Sequence, residues 1–129
     1  MKKEEIETII NQLKTGEMSV TEMRNSLHSA AAIIRTNALF ALSRHAKKTT
    51  DEKIKDEIIN DINNAAAYPE NRIELLGKTT VAYVAIGCLI DIDTPKSTLE
   101  AKKLIDSFPH IEREHLLRYL QDIKEHPHK

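Results

Sequence analysis

One pattern occurs twice in this chain and narrows the folds open to it. Residues 33–42 read Ile33-Ile34-Arg35-Thr36-Asn37-Ala38-Leu39-Phe40-Ala41-Leu42, and residues 111–120 read Ile111-Glu112-Arg113-Glu114-His115-Leu116-Leu117-Arg118-Tyr119-Leu120. Both follow Ile-x-Arg-x-x-apolar-Leu-x-x-Leu. Apolar residues three and four apart lie on one face of a helix. A looser copy, Ala85-Ile86-Gly87-Cys88-Leu89, aligns with Ala38 to Leu42 and has Ala82 in place of the arginine. A repeated helix cannot bury its stripe alone, and stacked neighbours can.

The rest of the chain reads as helices that fit between these copies. Ile6, Ile9, Ile10 and Leu13 mark a first helix, Lys3 to Thr15, with Gly16 as a left-handed stop. Ser19 and Glu22 form a capping box flanked by Met18 and Met23, which starts a second helix bearing Val20, Met23 and Leu27. The third covers about 30–47. A capping box of Thr49 and Glu52 is expected to open the fourth, about 50–67, with Ile54, Ile58, Ile62 and Ala65 inward. Tyr68-Pro69-Glu70-Asn71 is a loop, since proline disfavours helix in the residue before it. Asn71, with Glu74 three residues on, is expected to cap helix five.

From Thr79 to Ile92 local propensity favours a strand. The match to the repeat favours helix, as does the lack of any other strand to pair with. Thr94-Pro95 is a helix entrance for a sixth helix bearing Leu99, Leu104 and Ile105. The seventh, about 110–126, is expected to bury Leu116, Leu117, Leu120 and Ile123. With 3 glycines and 4 prolines the chain has few of the punctuators that tight-turned sheets need.

The arginine preceding an Ala-Leu-x-x-Leu run in helix three resembles the second helix of a HEAT repeat. That resemblance implies an all-α fold over residues 1–129, a short α-α superhelix of about three helix pairs built from six to seven helices. A closed bundle of the same helices is the alternative. Arg35 and Arg113 fall at the edge of their apolar faces, where an unpaired charge is costly. Geometry and resemblance both give them a structural role, on carbonyls or a carboxylate.

Composition excludes several functions. The chain carries 19 basic and 20 acidic residues for a net charge of −1, so no overall field gathers nucleic acid or an anionic membrane. No run approaches the ~20 apolar residues of a membrane span, and the charged, periodic start does not read as a signal peptide. Cys88 is the single cysteine, which excludes an internal disulfide and a cysteine-rich zinc site and points to a reducing cytoplasm.

No residue set reads as catalytic. Gly77-Lys78-Thr79 lacks the glycine that a phosphate loop needs five positions earlier, where Arg72 stands. His110 and His115 are not spaced for one helix face, and His28 and His45 stand singly. His126 and His128 flank Pro127 near the end of the chain. Cys88 reads as a small buried hydrophobe. The basic cluster Arg44, His45, Lys47, Lys48, Lys53 and Lys55 is interrupted by Asp51, Glu52, Asp56 and Glu57, which disfavours nucleic acid. DNA-repair glycosylases share the HEAT architecture but stack bases on aromatics, and this chain has no tryptophan.

The leading expectation is therefore a non-catalytic module that binds another protein, with no cofactor and no metal. An immunity or antitoxin protein of bacterial type, blocking one toxin, is the alternative. A nucleic-acid-binding protein or enzyme stands third. In a repeat stack the second helices, here three, five and seven, present the binding surface. Aligning them selects Phe40, Arg44, Tyr83 and Arg118 as the partner-binding set, since aromatic and arginine side chains are the usual anchors.

Overall fold

The computed structural model describes residues 2–73 and 79–126, and these form seven α-helices and one 3₁₀ turn with no strand among them. The helices are α1 (Lys3–Thr15), α2 (Val20–Ser26), α3 (Ala32–Lys48), α4 (Glu52–Ala67), α5 (Val81–Ile92), α6 (Pro95–Ser107) and α7 (His110–Glu125), with the 3₁₀ turn Pro69–Arg72 after α4.

Their ends follow from local chemistry. Gly16 closes α1 at φ 77°, a left-handed conformation open to glycine. Ser19 and Glu22 make both bonds of the capping box that opens α2. Thr80 Oγ1 accepts from Tyr83 N at 3.2 Å and starts α5. Thr94 and Ser97 form a second capping box, with Pro95 first inside α6.

Two expected caps fall elsewhere. Asp51, not Thr49, caps α4, accepting from Lys53 N and Ile54 N at 3.0 and 3.2 Å, because a carboxylate next to the helix reaches two orphan amides at once. Thr49 instead accepts from Asp51 N. Asn71 caps nothing. It is buried, accepting from Arg35 Nε at 2.8 Å and donating to Ala65 O at 2.9 Å. Glu74 and the Gly77-Lys78 pair lie outside the described residues.

The segment with strand propensity is a helix from Val81 onward. Every residue of α5 except Ile90 and Asp91 is buried, because α3, α4, α6 and α7 all pack on it. Tertiary cover overrides local preference here. The helices make two rows around this centre. The contacts α3–α5 and α5–α7 define an inner row, and α4 with α6 an outer row. Arg24 of α2 pairs with Asp61 and, at 3.3 Å, with Glu57, both on α4.

Arginines fasten carbonyls at the ends of α1, α4 and α6 and just beyond α2. Arg44 Nη2 donates to Leu13 O at 3.1 Å, at the end of α1. Arg35 Nη1 donates to Ser29 O and Ala30 O, just beyond α2. Arg72 Nε donates to Ala66 O in α4. Arg113 donates to the carbonyls of Ile105, Asp106 and Phe108 at the end of α6. The last carbonyls of a helix have no intrahelical partner, and a cation there also meets the negative end of the dipole. Arg35 and Arg113 thus both donate to carbonyls. α5 has no arginine at the motif position, and Arg72 of the 3₁₀ turn bonds the end of α4.

Candidate functional site

A groove of about 370 Å³ crosses the inner row. Its α3 wall carries Phe40, Ser43, Arg44 and Lys47, and its α5 floor carries Val84, Gly87, Cys88 and Asp91. Tyr119 and Ile123 of α7 close the far side. Residues at i, i+3, i+4 and i+7 form one face of a helix, so two faces of α3 and α5 converge here. Gly87 lets α7 come close. A methyl group at that position would meet Ile123 Cδ1 at 3.1 Å and Tyr119 Cε2 at 3.6 Å.

The groove is apolar at its base and charged at its α3 rim. Lys47 Nζ reaches Asp91 Oδ2 at 3.1 Å across the rim, with both side chains exposed. Arg44 is exposed apart from its bond to Leu13 O. Ser43 is buried and its Oγ makes no hydrogen bond of normal geometry. Burial pushes the Cys88 thiol up to about 12, and Asp91 adds to this, while Ser43, Arg44 and Lys47 pull the other way. A thiol held neutral is no nucleophile. Burial also raises the Tyr119 phenol to about 12.

The four residues selected from sequence separate in space. Phe40 and Arg44 line the groove. Tyr83 was expected on the surface and is only 3% exposed. Its hydroxyl donates to Glu112 O at 3.3 Å, and its ring meets those of Phe108 and Tyr119 at 6.0 and 6.2 Å. α7 and the α6–α7 corner cover it, so it serves packing. Arg118 is exposed but does not line the groove. The α7 residue beside the groove is Tyr119, and one residue further along turns a helix by about 100°.

Ser43, Lys47, Val84, Asp91, Tyr119 and Ile123 were not selected, although the spacing of 40, 43, 44 and 47 marks the α3 face. Among the described residues, no three His, Cys, Asp or Glu side chains are grouped to hold a metal, and no helix is long and apolar enough to cross a membrane. His110 pairs with Glu114 on the surface at 3.1 Å, and the His28 ring lies 5.6 Å from that of Tyr68. Comparison with protein-family models, curated proteins and solved structures finds no match to this chain.

Proposed function

We propose that this chain is a non-catalytic module of HEAT-like type that binds another protein in the α3–α5–α7 groove. The observation that carries the reading is the groove itself. It spans three helices, its base is apolar and its rim is charged, which is the anatomy of a protein interface with a dry centre and a polar edge. The arginines that fasten successive carbonyl ends support the repeat reading, because each helix pair is closed by the same chemistry. The one thiol in the groove is held protonated by burial.

Affinity capture from the native cell tests this, using the unaltered chain beside Phe40→Glu and Leu99→Glu. Phe40 is half-buried in the groove, whereas Leu99 is exposed on α6. The expected result is a protein retained by the unaltered chain and by Leu99→Glu, and lost with Phe40→Glu at an unchanged melting temperature. An identical set of proteins on all three baits would reject the groove as the interface.

A further inference from the structure

We propose that the occupant of the groove is an acidic amphipathic helix, which seats apolar side chains on Val84, Tyr119 and Ile123 and places a carboxylate on Arg44; this rests on the protein-binding reading above. Charge is the first reason. The lining holds two cations, Arg44 and Lys47, on one wall, and a single carboxylate, Asp91, which Lys47 already engages. Arg44 gives one N–H to Leu13 O and is otherwise exposed, so its remaining donors face outward. A guanidinium takes a carboxylate in a two-pronged, charge-assisted pair.

Shape is the second reason. Phe40 to Lys47 on α3 and Val84 to Asp91 on α5 each extend the groove over two helical turns, about 10 Å. That length accepts anchors at i, i+3 or i+4, and i+7 of a ligand helix. The walls are helices, whose backbone amides and carbonyls are bonded internally, so an extended strand would find no edge to pair with.

The probes are short, end-blocked, helix-favouring peptides with leucine at i and i+4 and a variable residue one turn further on. That residue is Glu, Gln or Lys. Binding to the full chain is followed by fluorescence anisotropy, and the contact surface by amide chemical shifts. The expected order is Glu, then Gln, then Lys, with about tenfold between the extremes, weakening as salt rises. Asp91→Asn releases Lys47 and leaves the Arg44–Leu13 bond alone, so it should tighten the Glu peptide several-fold. Arg44→Gln should abolish the preference.

The proposal fails if the three peptides bind alike, if none binds, or if the shifted amides lie outside the groove. It fails equally if Asp91→Asn leaves the Glu peptide unaffected. The protein-binding reading has its own readout in the Phe40→Glu capture, and it stands if that capture is lost while the peptides show no charge order.

Discussion

Leu39 and Leu117 hold the same place in the repeated pattern, yet Leu39 is fully buried and Leu117 is 48% exposed. The two copies agree at other positions. Ile33 and Ile111 are both exposed, Ala38 and Leu116 are both fully buried, and Arg35 and Arg113 both close carbonyl ends. Leu42 is fully buried where Leu120 is half-buried. The difference is position in the stack. α3 has α1, α2, α4 and α5 against it, while α7 packs chiefly on α5 and α6. A shared motif therefore specifies which way a helix faces, and its neighbours decide how much of that face is covered.

The largest expected effect tests that contrast directly. Leu39→Ala should cost about 2–5 kcal/mol, as truncation of a fully buried leucine does. Leu117→Ala should stay within about 0.5 kcal/mol, as an exposed substitution does. Chemical denaturation of both variants gives the comparison. Equal losses would mean that α7 is covered in solution on the side that faces solvent here.

The arginine pair sharpens the comparison from the polar side. Arg35 is 6% exposed and serves two carbonyls and the buried Asn71. Arg35→Ala strands these groups away from water and should cost about 3 kcal/mol, whereas Arg113→Ala, nearer solvent, should cost about 1–2 kcal/mol. Reversal of that order would show that the carboxyl-terminal pair, not the amino-terminal one, holds the stack together.

Smaller effects belong to the groove. Ser43→Ala removes a buried hydroxyl that makes no hydrogen bond of normal geometry, so stability should rise by up to about 1 kcal/mol in a melt of the free chain. A fall of that size would reveal a bond made by the hydroxyl in solution. Cys88 should show the least change of all at neutral pH, with no labelling by a thiol reagent while the chain is folded. Its folded thiol binds a proton more tightly than an unfolded one. The stability tied to it is thus complete below pH 9.0 and declines as the pH rises toward about 12. A melt series over that range should show a shallower decline in Cys88→Ala.

Much of the fold was legible in the sequence where local chemistry decides it. The α1 stripe, Gly16, the Ser19–Glu22 box and Thr94-Pro95 each specify an end or a face without help from distant residues. α5 needed the repeat, because its β-branched residues argue for a strand and only burial on all sides makes them helical. The bond from Arg35 to Asn71 was not legible, because the two are remote in sequence. The site was less legible. Phe40 and Arg44 were accessible from the pattern, but α7 borders the groove with a different flank from α3 and offers Tyr119 rather than Arg118. Tyr83 misled for the opposite reason, since an aromatic outside the main stripe is surface-exposed only if no further helix crosses it.

The central claim is that a protein partner occupies the groove of the inner row. A photo-reactive amino acid placed at Ile123, in the groove, and in a second chain at Leu99, on the outer row, tests it in the native cell. The account predicts a discrete crosslinked protein from position 123 and none from position 99. Crosslinks from position 99 alone, or an indiscriminate ladder from both, would contradict it.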